Sequence, residues 1–243
     1  MMQKILLYCD TGASAFSILS ARHYFKDYQV TLVTAQDIID HGIPQSADFF
    51  VMPGGADIPY TQKLNGKGNA EIRRYVENGG TYLGICAGAY YGCADIEFQK
   101  GTQTAICGPR ELGFVKGTAI GCLKEIAKPY DTSLHSAAVT TINKQGHMLP
   151  VLYWGGCFFN FKNSENITVL ATYADIENTP PALISCAVGK GRALLSGVHF
   201  EVMPDMLIDY NFDTQRENDL KQSLAHKLTQ GASMPFERLI ESQ

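Results

Sequence analysis

An apolar run, Tyr82-Leu83-Gly84-Ile85, feeds directly into Cys86-Ala87-Gly88, and a helix-compatible stretch continues to Gly92. A Gly-x-Cys-x-Gly turn between a buried strand and a helix leaves the chain few options. The residue at the apex takes a strained backbone conformation, and its neighbours must be small because strand and helix pass close together. Gly84 and Gly88 meet that demand, and Ala87 nearly does. Cys86 then stands at the head of a helix, where the positive end of the dipole favours thiolate. The turn by itself is compatible with a buried cysteine in a tight bend or with a nucleophile.

The flanking segments place this bend in an α/β sheet. Lys4 to Tyr8 reads as a buried strand, Ser14 caps a helix, and Gln29 to Val33 is a second strand. Strand, helix, strand within thirty-odd residues is the pattern of parallel strands joined by crossover helices. Asp48 to Met52 is a third strand, ending in Pro53-Gly54-Gly55-Ala56-Asp57. Asn69 to Asn78 is a helix capped by Asn69 and stopped at Asn78-Gly79-Gly80. Ile96 to Tyr153 is glycine-rich with short strands, a mostly β section packed beside the elbow. Ile167 to Tyr173, Ala182 to Val188 and Ala193 to Ser196 are three further strands, Asp219 to Leu228 is a helix, and the tail after Gly231 reads as polar.

Composition narrows the function classes. The chain has 243 residues, 45% hydrophobic and 18% charged, which suits one domain, 1–243, with a sizeable core. A net charge of -4 with scattered signs gives no nucleic-acid footprint. No apolar stretch reaches membrane-spanning length, and the start has no secretion signal, so a cytoplasmic protein is expected. Seven cysteines, an odd number without a Cys-x-x-Cys pair, fit neither a disulfide framework nor a zinc site. No metal and no cofactor are expected.

Three features fall at strand ends: Gly54-Gly55, Cys86, and His199 with Glu201. In an open parallel sheet the carboxyl ends gather on one edge, where ligands bind. His199 can take a proton from Cys86, and Glu201, two residues on in an extended segment, can hold the other imidazole nitrogen. The amides of Gly54, Gly55 and Ala87 can face a developing oxyanion. Tyr90 and Tyr91, just after the elbow, and Trp154 are expected in a pocket wall near Cys86, although core packing is the commoner use of a lone tryptophan.

Pro53-Gly54-Gly55-Ala56-Asp57, Gly84-Ile85-Cys86-Ala87-Gly88 and His199-Phe200-Glu201, in that order, resemble the class I glutamine amidotransferase-like superfamily. Asp10 to Ser14, Cys86 to Gly92, Ile96-Glu97-Phe98 and Arg110-Glu111-Leu112 narrow the resemblance to the amidotransferase-like N-terminal region of eukaryotic biotin–protein ligases and its stand-alone bacterial relatives. The resemblance implies a three-layer, flavodoxin-like α/β fold, with a mainly parallel central sheet and helices on both faces. It implies a cysteine-dependent amidohydrolase or amidotransferase-like enzyme acting on a small amide or related carbonyl through Cys86, His199 and Glu201. The alternative is a non-catalytic binding or regulatory module that keeps the fold and pocket. Tyr90 stands where these amidotransferases carry a substrate-holding glutamine, which implies weak or no glutaminase activity. No ligase catalytic region is recognisable, so biotin ligation is not expected. The expected partners are a small-molecule substrate or ligand and, in addition, a separate protein; neither nucleic acid nor membrane is expected, and the oligomeric state is not legible.

Overall fold

The computed structural model describes residues 2–162 and 165–241. The first part alternates: β1 (Lys4–Tyr8), α1 (Ala15–Tyr24), β2 (Gln29–Val33), α2 (Ala35–His41), β3 (Phe49–Met52), α3 (Asp57–Leu64), α4 (Lys67–Glu77), β4 (Thr81–Ile85) and α5 (Ala87–Gly92). Strands dominate next: β5 (Cys93–Phe98), β6 (Ile106–Pro109), β7 (Val115–Gly121), β8 (Ala137–Lys144), β9 (His147–Trp154), β10 (Phe158–Asn160), β11 (Ile167–Tyr173), β12 (Pro181–Val188) and β13 (Gly191–Ser196). Three helices close the chain: α6 (Pro204–Asp209), α7 (Gln215–Leu228) and α8 (Phe236–Ile240).

The main sheet has nine strands in the order β2-β1-β3-β4-β13-β12-β11-β8-β9. From β2 to β13 every pairing is parallel. From β13 to β9 every pairing is antiparallel. The three-layer α/β architecture with helices on both faces is present, and its central sheet is mixed: a parallel half carries the elbow, and a hairpin half extends it. The section after the elbow supplies β8 and β9 to this sheet. Its other strands form a four-stranded sheet, β10-β7-β5-β6, beside the elbow.

Strand β3 is buried at all four positions, as expected for a strand covered on both faces. Side chains alternate across it. Phe50 and Met52 join Tyr8, Tyr60 and Tyr82 in one core layer. Phe49 and Val51 join Ile5, Leu83 and Ile85 in the other. Each fully buried side chain of this size stabilises the fold by roughly 1.5–3 kcal/mol relative to exposure.

Three local expectations are corrected. Helix α4 begins at Lys67 after Gly66, so Asn69 lies inside it rather than capping it. Its side chain points inward, where Tyr91 Oη donates to Asn69 Oδ1 at 2.6 Å. Helix α7 begins at Gln215, four residues early, because Thr214 caps it by accepting from Glu217 N–H. The tail is not wholly polar: Phe236, Leu239 and Ile240 of α8 are buried against the sheet.

Candidate functional site

Cys86 sits at the apex between β4 and α5 with φ 50° and ψ −107°, in the left-handed region that non-glycine residues seldom occupy. The neighbouring glycines are required by close approach. A Cβ on Gly84 would stand 2.4 Å from Gly88 O, and one on Gly88 would stand 2.1 Å from Met52 O. Cys86 N–H donates to Ser196 O at 2.9 Å, tying the elbow to β13. Because β13 runs parallel to β4, the chain leaving it arrives at the same edge of the sheet. There His199 N–H donates to Leu152 O at 2.8 Å.

His199 and Glu201 are both buried, and Nδ1 lies 2.8 Å from Glu201 Oε1. Burial pulls the imidazole pKa down; the Glu201 charge, then that of Cys86, push it up, and the result lies well above the ordinary histidine value. Glu201 Oε2 is buried with no hydrogen-bond partner among the described residues. Cys86, His199 and Glu201 therefore meet at one place. The Cys86 thiol also donates to Trp154 O at 3.5 Å, so a proton on sulfur has an acceptor other than His199.

A cavity of about 520 Å³ opens above this floor and includes Gly55, Ala87, Tyr90, Trp154 and His199 in its lining. Gly54 is not among the residues that line the cavity; it lies against the His199 ring, and its carbonyl accepts from Ser14 N–H at 3.0 Å. Tyr90 is buried, and its hydroxyl donates to Gly156 O at 2.8 Å. The one polar group of Tyr90 is thus spent inside the protein, and the residue offers a ligand its ring. Trp154 lines the cavity while its Nε1–H donates to Ser133 O at 3.1 Å. The ring is half-buried and also packs against Phe16 and Phe212.

Tyr91 is not in the cavity wall. Successive helical residues point about 100° apart, so Tyr91 faces α3 and α4, packing its ring edge-on against Tyr60 and reaching Asn69. Residues beyond those expected complete the walls: Phe16 from α1, Ile96 and Phe98 from β5, and Tyr210 and Phe212 from the loop before α7. Their convergence depends on tertiary folding, and no local spacing marks it. No helix among the described residues is long and apolar enough to cross a membrane. Among the described residues, no group of three or more His, Cys, Asp or Glu is placed to hold a metal ion.

The mixed sheet and the strained cysteine elbow define a class I glutamine amidotransferase-like fold. PurLQS from Thermotoga maritima superposes with a TM-score of 0.60 at 12% identity, over 94% of this chain and 98% of that one. A glutamine amidotransferase from the same organism gives 0.52 at 14% identity, over the whole of both chains. At such identities the likeness concerns the fold. In sequence, the family described as "Biotin-protein ligase, N terminal" matches residues 3–237, and the chain belongs to it. An uncharacterized protein of Chlamydia muridarum is 35% identical over 234 residues, 91% of this chain and 90% of that protein. The biotin–protein ligase of Schizosaccharomyces pombe is 31% identical over 209 residues, 81% of this chain but 33% of the ligase, so this chain matches about a third of that relative.

These relationships correct the expected activity. The family that matches is described by the N-terminal part of biotin–protein ligases, and neither it nor these two relatives is described as an amide-hydrolysing enzyme. The hydrolase and catalytic-triad readings are withdrawn in favour of the non-catalytic alternative. The meeting of Cys86, His199 and Glu201 is a feature of the site's architecture, and geometry of this kind does not by itself define an activity.

Proposed function

We propose that this domain is a non-catalytic binding or regulatory module, which keeps the amidotransferase fold and holds a small ligand in the cavity above Cys86. The observation that carries this reading is the state of Tyr90. At the position where the related amidotransferases hold their substrate amide, the side chain is a buried ring whose hydroxyl is committed to Gly156. The pocket is retained while its amide-holding group is absent. In this reading Cys86 and His199 form the floor, and Glu201 fixes the imidazole from behind. Gly54, Gly55 and Ala87 supply backbone, and Tyr90 and Trp154 supply walls. The relation to the N-terminal part of a ligase supports action beside a separate protein partner. Seven cysteines, none in a disulfide, support a reducing, cytoplasmic setting.

Trp154 is the chain's single tryptophan, so intrinsic fluorescence reports on the cavity directly. Titration with small aromatic ligands is expected to change Trp154 emission saturably, with each ligand recovered chemically unchanged. Failure of every such ligand to saturate the signal, or conversion of one to product, would contradict the reading.

A further inference from the structure

The charges around the cavity do not cancel, and their imbalance bears on the ligand. Three carboxylates line it, Asp57, Asp213 and Glu217, and no lysine or arginine does so among the described residues. The one basic side chain in the lining is His199, with Glu201 2.8 Å behind it. Asp57 is balanced by the buried Arg110, whose Nε donates to Oδ2 at 2.6 Å. Asp57 is itself 7% exposed, and its Oδ1 takes no hydrogen bond among the described residues.

Two carboxylates have no lysine or arginine partner among the described residues, Asp213 and Glu217, both on the wall formed by the loop before α7 and the start of that helix. Glu217 accepts from the Leu134 N–H at 3.0 Å and the Thr214 hydroxyl at 2.7 Å, and these bonds hold its carboxyl below the usual range. His135 also faces Glu217, but it is not part of the lining. Asp213 is exposed at the rim. The same wall is aromatic. Phe16 meets Tyr210 edge-on at 5.0 Å and Trp154 at 5.5 Å, and Tyr210 meets Phe212 at 4.8 Å. Ring faces beside uncompensated carboxylates attract organic cations and repel anions.

We propose that the cavity selects a small organic monocation, a protonated amine or N-alkylated ammonium on a compact apolar body. The charged head lies toward Asp213 and Glu217 against the aromatic wall. The body fills the apolar end lined by Ile58, Ile96, Phe98 and Ile106. Asp57 Oδ1 is the acceptor left for a further N–H of the ligand. This inference rests on the binding-module reading and adds the ligand's charge to it.

Benzylamine, benzamide and benzoate carry the same ring with charges of +1, 0 and −1 at neutral pH, and Trp154 fluorescence can follow all three. The expected order of affinity is benzylamine, benzamide, benzoate, with about a tenfold gap between the first two. Asp213→Asn, an exposed change that leaves the Asp57–Arg110 pair intact, is expected to weaken benzylamine several-fold and leave benzamide unchanged. Benzamide or benzoate binding as tightly as benzylamine would overturn the inference while leaving the binding module standing. An Asp213→Asn variant with unaltered benzylamine affinity would overturn the placement of the head group. No saturation by any of the three would overturn both the inference and the reading beneath it.

Discussion

Gly54 lies against the His199 imidazole so closely that a Cβ there would stand 2.7 Å from Cε1. The same Cβ would stand 2.7 Å from Ser17 Oγ. His199 and Ser17 are both buried, so neither can swing away into solvent. The glycine pair after β3 therefore has a steric role that does not depend on oxyanion chemistry: it makes room for the ring.

Gly54→Ala is accordingly expected to destabilise the fold by about 1–3 kcal/mol, the usual cost of overpacking a filled site. Urea denaturation measures the loss. A variant as stable as the parent protein would mean that the ring and Ser17 can both move.

Tyr90→Phe is expected to be mild. Gly156 O accepts from Tyr90 at 2.8 Å and from Tyr153 at 2.9 Å, so removing one hydroxyl leaves the buried carbonyl satisfied. The expected cost is about 0.5–1.5 kcal/mol. Ligand affinity at the cavity should stay the same, because the ring remains. A large loss of affinity in the fluorescence titration would show that the hydroxyl is available to ligands.

Glu201→Gln tests the buried pair through pH. The folded state holds the His199 proton above the ordinary pKa, so this group's contribution is fully present below about pH 6.5 and is lost as pH rises through the raised value. In the parent protein the urea midpoint should fall with pH across that window. Removing the charge removes the largest of the influences that raise the imidazole pKa. The variant's profile should be flatter there. It should also be less stable at neutral pH by about 3–5 kcal/mol, as when one partner of a buried pair is lost. An unchanged slope would assign the pH dependence to other groups.

Much of the sheet and the elbow was legible because glycine spacing and alternation are local signals. Gly84 and Gly88 flank Cys86 for a reason that two backbone approaches make plain, and the three strands after Ile167 form where their apolar runs lie. Tyr91 was misread because adjacency in sequence is not adjacency on a helix. The aromatic wall was hidden because Phe16 and Tyr210 meet only after α1 and the segment before α7 come together. Activity was misread because an elbow and a His-x-Glu pair describe the geometry of a site, and geometry of this kind does not by itself define an activity.

The tail offers a further check. Phe236 stacks on Phe200 with ring centres 5.8 Å apart, and it meets Phe25 at 5.0 Å and Phe49 at 5.4 Å. Phe236→Ala is expected to cost about 3–5 kcal/mol, seen as a lower thermal midpoint. A loss of less than 1 kcal/mol would mean that α8 contributes little to the core.

The most direct test of binding without turnover uses 4-(aminomethyl)benzamide, which joins a cationic head, an aromatic body and a hydrolysable amide in one molecule. Proton NMR of this compound with the intact protein at neutral pH can read binding and chemistry in the same sample. Binding without turnover predicts saturation transfer from protein to the ligand's ring protons, with ligand signal areas unchanged over a day. Growth of 4-(aminomethyl)benzoate signals with release of ammonium, beyond a protein-free control, would contradict it.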